Sequence, residues 1–325
     1  MKGVLLDQGS LHCDDLDLDS LRGQFAQWES FELTAPEHVI ARLHNADIAL
    51  TNKTPLSRET LAQLPRLKLI LVLATGTNNI DLDAAAEHGV AVCNNVGYST
   101  RSLVEHTLAL MLALARQLPT YMEKVKQGDW QRADQFCLLD PPISSLHGKQ
   151  LGIIGAGASG RGLAAVARAL GMQTVALQSL SGSRPAEDPA LPRLPLRSLL
   201  SESDVVSVHC PLTHRTRDLL DASALAHMKA DALLINTARG GIVNETALAE
   251  ALNNERLGGA AVDVLTTEPP TTGNPLLRVR HPNFIVTPHN AWGSRESRQA
   301  LIDQSAEIVR RFQQGELMNC VNNPR

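Results

Sequence analysis

Leu151-Gly-Ile-Ile154 is an apolar run that ends in a turn with glycine at its first, third and sixth positions, Gly155-Ala-Gly-Ala-Ser-Gly160. The turn opens an apolar, helix-compatible stretch that continues to Leu170. Few folds accept that order, because a buried strand must deliver the chain into a tight turn and a helix must start at once against it. Gly155 permits the turn, Gly157 the close approach of a pyrophosphate, and Gly160 the packing of helix on strand. Backbone N–H groups of Ala158 and Ser159 at the helix start would face the phosphates. The segment therefore reads as the dinucleotide turn of a doubly wound α/β sheet.

The rest of the chain keeps the same rhythm. Val4-Leu-Leu6, Ile48-Ala-Leu-Thr51, Leu67 to Leu73 and Val90-Ala-Val92 are short apolar runs separated by helix-compatible stretches. A second set follows: Leu151 to Ile154, Thr174 to Leu177, Val205 to Val208, Ala232 to Ile235, Ala260 to Val262 and Phe284 to Val286. Continuous apolar runs of this length belong to parallel strands covered on both faces by helices. With 325 residues, 43% of them apolar, two such cores are expected rather than one. Helical spacing is predicted from Arg101 to Leu118, with Ser99, Thr100 and Ser102 available as caps, and again from Arg295 to Gln314. The Pro-rich piece from Arg184 to Pro195 reads as a surface loop.

Composition excludes several partners. A formal net charge of −4 with intermixed signs gives no basic stripe for nucleic acid and no polybasic run for anionic lipid. The longest apolar stretch, Leu108 to Ala115, is too short for a membrane span, and the few apolar residues before Asp7 are too short for a signal-peptide core. Cys13, Cys93, Cys137, Cys210 and Cys320 are scattered with no C-x-x-C pair, which suits free thiols in a reducing cytoplasm and no metal site.

Three residues carry the chemistry. Arg239 follows a buried run in Asn236-Thr-Ala-Arg-Gly-Gly241, Glu268 precedes Pro269-Pro270, and His289 stands in Thr287-Pro-His-Asn290. A guanidinium can grip a carboxylate and polarise a ketone, an imidazolium can protonate the oxygen, and a carboxylate can keep the imidazole oriented and charged. That set suits interconversion of a 2-keto acid and a 2-hydroxy acid, with a nicotinamide bringing the hydride. NAD(H) is the expected cofactor, with one departure that leaves NADP(H) open. The second strand ends at Gln178, where a carboxylate normally binds the adenosine ribose hydroxyls. Gln178 does not repel a 2′-phosphate, and Ser179, Ser181, Ser183 and Arg184 follow it as candidates to cradle one.

From Ala74-Thr-Gly-Thr-Asn-Asn-Ile-Asp81 through Glu105-His-Thr-Leu-Ala-Leu110, Asn236 to Gly241, Val262-Asp-Val264 and Pro288-His-Asn-Ala-Trp292, the chain resembles the D-isomer-specific 2-hydroxyacid dehydrogenase family, and within it the glycerate dehydrogenases (hydroxypyruvate reductases). The resemblance implies a Rossmann cofactor domain, residues 99–289, inserted in a flavodoxin-like substrate domain, residues 1–98 and 290–325. It implies that His209 and Pro211 wall the adenine pocket, that Thr237 and Ala238 also touch the cofactor, and that Asp263 accepts the nicotinamide amide. It further implies that Thr75, Gly76 and Thr77 join Arg239 and His289 in binding substrate, in a cleft that closes on the ligand, and that the stretch from Met122 to His147 helps pair two subunits. Phosphite dehydrogenases are otherwise similar but carry lysine where Thr75 stands. Glycerate and hydroxypyruvate lead as the substrate pair, with glyoxylate and glycolate next. The rival from another class is a dinucleotide-sensing corepressor of the same fold, against which the intact Arg, Glu and His set argues.

Overall fold

The computed structural model describes residues 1–180 and 188–324 and divides into two compact units, Met1–Ser99 with Trp292–Arg325, and Thr100–Ala291. Ser181, Ser183 and Arg184 of the proposed phosphate cradle lie outside the described residues.

The first unit holds five parallel strands, β1 (Lys2–Leu5), β2 (Gln27–Ser30), β3 (Ile48–Thr51), β4 (Leu69–Val72) and β5 (Ala91–Asn94), in the order β2-β1-β3-β4-β5. This is the flavodoxin-like order. All four residues of β3, β4 and β5 are buried, as strands sandwiched between helices must be. One face of the sheet is covered by the return helix Arg295–Gln313, whose Leu301, Ile302, Ile308 and Val309 are fully buried against Leu5, Leu50, Leu69 and Leu71. Each such side chain contributes about 1.5–3 kcal/mol of apolar burial. The helix begins where Ser294 accepts the Ser297 amide at 3.2 Å, a capping bond that leaves one fewer orphan donor.

The second unit contains seven parallel strands, β6 (Gln150–Ile154), β7 (Gln173–Leu177), β8 (Arg193–Leu194), β9 (Val205–Val208), β10 (Leu233–Asn236), β11 (Gly259–Val262) and β12 (Phe284–Val286). Their order, β12-β11-β10-β9-β6-β7-β8, is the Rossmann order extended by one strand, and it reverses direction between β6 and β9. Asn244 and Asp221 cap the helices Glu245–Asn253 and Ala222–Leu225 by accepting the amides of Ala247 and Ala224. The helix Thr100–Ala115 buries Leu110, Met111 and Leu114 against Leu151, Ile153 and Ile235. Ser102, inside that helix, donates to the Ala291 carbonyl at 2.7 Å, so it ties the two ends of the unit together.

Three segments depart from the sequence expectation. The piece expected as a surface loop from Arg184 to Pro195 contains β8, which pairs with Ala176 and Leu177 of β7. Residues 122–126 of the stretch from Met122 to His147 belong to the helix Leu118–Lys126, which buries none of its residues and so shows no core-facing periodicity. β2 lies outside the apolar runs: Gln-Trp-Glu-Ser is a largely exposed edge strand that its own composition does not reveal. No helix among the described residues is long and apolar enough to cross a membrane.

Candidate active site

The parallel strands of the second unit all end on one side, and the chemically distinctive residues lie just beyond those ends. Read along the sheet from β12 to β7 they are His289, Asp263, Arg239, His209, Gly155 and Gln178. At ~4.8 Å between strands this row is about 24 Å long. Ligands of open α/β sheets bind along such a carboxyl edge, at the reversal point that here falls between β6 and β9.

At that reversal point the glycine turn fits a dinucleotide. Gly155 has a φ of +108°, and a Cβ there would stand 2.5 Å from the Cys210 nitrogen, so only glycine lets the turn approach the end of β9. A Cβ at Gly160 would lie 2.2 Å from the Gly155 carbonyl oxygen, which fixes the helix Ala158–Ala169 against the turn. At Gly157 nothing lies within 4 Å of the Cβ position, and no side chain caps the helix it precedes. Open space over uncapped N–H groups is what a pyrophosphate requires.

His209, after β9, has its Nε2 2.9 Å from Ser207 Oγ. Burial pushes its pKa down to about 4, so the ring is neutral at physiological pH. At the far end of the row Gln178 is exposed, and its N–H donates to the Leu194 carbonyl at 2.9 Å. Two arginines without an assigned role border it: Arg193 donates to the Leu177 carbonyl at 2.9 Å and Arg215 to the Leu180 carbonyl at 2.7 Å.

The Arg239 loop is built by its neighbours. Asn236 donates from Nδ2 to the Arg239 carbonyl at 2.9 Å and accepts the Ala238 amide at 3.1 Å, folding the segment back on the end of β10. Thr237 is buried, its hydroxyl 2.9 Å from that of Thr107, which itself donates to the Leu103 carbonyl. A Cβ on Gly240 would lie 2.1 Å from the Leu265 carbonyl, so this glycine lets the Arg239 loop rest on the loop that carries Glu268. Arg239 is partly exposed, with one guanidinium nitrogen donating to the Ala238 carbonyl at 2.7 Å.

Glu268 and His289 meet. The imidazole Nδ1–H donates to Glu268 Oε2 at 2.5 Å, while Glu268 Oε1 accepts the Leu265 amide at 2.7 Å. Their side chains are 32% and 27% exposed, reachable from solvent yet held. His289 has a φ of 52°, an uncommon backbone state for a non-glycine residue and one that clusters at functional sites. Asp263 maintains it. Its carbonyl accepts the His289 amide at 2.8 Å, Oδ1 accepts from Thr287 Oγ1 at 2.6 Å and Asn290 N at 3.0 Å, and Oδ2 accepts from Ala291 N at 3.0 Å. Beyond the cofactor role expected of it, Asp263 organises the His289 turn. His106, in the segment Glu105-His-Thr-Leu-Ala-Leu110, reaches the same cluster, with Nε2 3.2 Å from Thr287 Oγ1. Only the tertiary fold reveals that partnership, since 181 residues separate the two.

In the first unit, Thr75, Gly76 and Thr77 form the turn beyond β4, with Thr75 exposed. Asn94, which sequence reasoning passed over, holds this turn by donating to the Thr75 carbonyl at 2.7 Å.

Fold and site together define a dinucleotide-dependent oxidoreductase, and comparison with known proteins places it. Residues 108–291 match the NAD-binding domain model of the D-isomer specific 2-hydroxyacid dehydrogenases, and the chain belongs to that family. It is 43% identical to glycerate dehydrogenase of Methylorubrum extorquens over 98% of each chain. It is 37% identical to hydroxypyruvate reductase of Blautia hydrogenotrophica, over 99% of this chain and all of that one. Among solved structures, an acyclic imino acid reductase in complex with NADPH and D-Arg superposes with a TM-score of 0.85 at 27% identity, over 99% of this chain and all of that one. The chain is therefore an NAD-binding oxidoreductase of the 2-hydroxyacid dehydrogenase class.

Proposed function

We propose that the enzyme reduces hydroxypyruvate to D-glycerate, with glyoxylate to glycolate as a secondary reaction. The observation that carries the chemistry is the 2.5 Å bond from His289 Nδ1 to Glu268. A ring gripped at Nδ1 by a carboxylate has its orientation fixed and its charge compensated when protonated, and Nε2 becomes the proton-transfer atom. A reduced nicotinamide, when bound along this edge, would supply the hydride for the ketone carbon. His289 gives a proton to the ketone oxygen as it becomes a hydroxyl, and takes it back in the oxidative direction. Arg239 pairs with the substrate carboxylate and draws electron density from the ketone. Thr75, Gly76 and Thr77 are further substrate contacts in this reading, supported by the exposure of Thr75 and by the Asn94 bond that braces its carbonyl.

For the cofactor, Gly155, Gly157, Ala158, Ser159 and Gly160 take the pyrophosphate, Gln178 the adenosine ribose, His209 and Pro211 the adenine side, and Thr237, Ala238 and Asp263 the nicotinamide side. The glycerate dehydrogenase and hydroxypyruvate reductase relatives support the substrate choice. The test is oxidation of NADH and NADPH by the purified enzyme against hydroxypyruvate, glyoxylate, pyruvate and longer 2-keto acids. Hydroxypyruvate should give the highest kcat/KM. No turnover with any keto acid, but tight dinucleotide binding, would favour the corepressor reading instead.

The enzyme works as a homodimer in this reading, in the cytoplasm. Leu118, Met122, Val125, Trp130, Phe136 and Leu139 are exposed apolar side chains gathered in one stretch, which suits a surface covered by a second copy. Cysteines that are all free suit a reducing compartment. Light scattering should give twice the chain mass, and Met122→Glu with Phe136→Glu should shift it to the monomer.

A further inference from the structure

The first unit is built from two stretches of chain, and they meet at a pair of thiols. β5 is the edge strand of its sheet, and its outer side is covered by the C-terminal segment running antiparallel to it. The Asn94 amide donates to the Asn319 carbonyl at 3.2 Å and the Val321 amide to the Val92 carbonyl at 2.8 Å. Between those bonds Cys93 stands directly opposite Cys320. The bonds flank the pair without joining it, which makes it a non-hydrogen-bonded antiparallel pair, with Cα atoms about 4.5 Å apart and side chains on one side of the ladder. That separation lies at the near end of what a disulfide spans.

The two thiols are unequal. Cys93 is 1% exposed, and burial, with the Cys320 thiol beside it, pushes its pKa to about 12. Cys320 is partly exposed, its Sγ 3.1 Å from the Asn322 carbonyl.

We propose that Cys93 and Cys320 are an oxidative modification site, a reversible dithiol that takes a low-molecular-weight disulfide as its oxidant and closes into a clasp between β5 and the C-terminal segment. The Cys320 thiolate attacks one sulfur of the small disulfide, whose S–S bond breaks and releases one small thiolate. Cys93 then loses its proton and attacks the Cys320 sulfur, expelling the second small thiolate. The protein has lost two electrons and two protons, and one small disulfide has become two thiols. The second step is slow at neutral pH and faster in alkali, because a buried thiol of high pKa must ionise first. The clasp links Met1–Ser99 covalently to Trp292–Arg325 across a very long loop, the case in which a cross-link constrains the unfolded chain most. It also sits one residue from Asn94, which braces the Thr75 turn.

The experiment incubates the full-length enzyme with oxidised glutathione at about pH 8, quenches with acid and maps peptides without reduction. The expected result is one peptide joining Cys93 to Cys320, lighter than its two parts by two hydrogen atoms. Tm should rise by several degrees and return on adding a reducing agent. Cys320→Ser should show neither change, and Cys93→Ser should stop at a glutathione adduct on Cys320. A triple Cys13→Ser, Cys137→Ser, Cys210→Ser variant should still form the clasp. The proposal is overturned if Cys320 in the parent remains unmodified or stays as the glutathione adduct. A bond that joins other cysteines overturns it equally.

Discussion

Glu268 binds in two directions at once: Oε2 accepts the His289 ring at 2.5 Å, and Oε1 accepts the Leu265 amide at 2.7 Å. The carboxylate is thereby pinned to its own loop, and that loop rests against Gly240 beside Arg239. Orientation of the imidazole is thus tied to the position of the guanidinium.

Glu268→Gln tests the orienting carboxylate. The amide has one acceptor oxygen for two donors, so either Leu265 N–H or His289 loses its partner. kcat should fall roughly 10²-fold or more, near the lower end of what a positioned general acid supplies, with a smaller change in KM. Steady-state kinetics with hydroxypyruvate measure both, and an unchanged kcat would remove Glu268 from the mechanism.

Arg239→Lys keeps the charge but loses the planar fork that makes two parallel bonds to a carboxylate. KM should rise and kcat should fall together if, as proposed, the same group binds substrate and activates the ketone. Parent-like values for both constants would show that bidentate recognition is wrong.

Gln178→Asp bears on cofactor choice. The parent is expected to accept both NADH and NADPH, because an exposed neutral side chain stands where a carboxylate would repel a 2′-phosphate. A single polar contact of this kind is worth ~1–3 kcal/mol, a shift of roughly 5- to 150-fold toward NADH. Ratios of kcat/KM for the two cofactors, taken at one ionic strength, decide it. A parent strict for NADH and unaltered by the substitution would leave Gln178 without influence.

His209 gives a pH dependence. Its folded-state pKa is lowered from 6.5 to about 4, so the unfolded chain takes up a proton before the folded chain does. Its contribution to stability is full above pH 6.5 and is lost as pH falls through the folded value. The loss grows by ~1.4 kcal/mol for each pH unit between those two values. Urea midpoints at about pH 7 and about pH 4.5 should therefore converge for His209→Gln relative to the parent. Equal losses in both proteins would contradict the assignment.

How much of this was legible beforehand follows from which signals are local. Strands buried on both faces, such as Leu69–Val72 and Val205–Val208, announce themselves as apolar runs. β2 and β8 do not, because an exposed edge and a two-residue strand owe their pairing to a neighbour and not to their own composition. The helix Leu118–Lys126 was hidden for a related reason, since its apolar side chains face outward. At the site, Arg239, Glu268 and His289 stand out because their residue types imply chemistry. Asn236, Asn94 and His106 position others through bonds that only the folded chain makes; Asn236 and His106 stand inside recognisable motifs, but their residue types do not reveal those partners.

The central claim is that His289 protonates the ketone of hydroxypyruvate, and the most direct measurement is single-turnover reduction by His289→Ala preloaded with NADH. Cofactor binding, read from nicotinamide fluorescence, should match the parent, while the rate of NADH oxidation falls ~10²–10⁴-fold. A variant that folds, binds NADH and reduces hydroxypyruvate at nearly the parent rate would contradict the account.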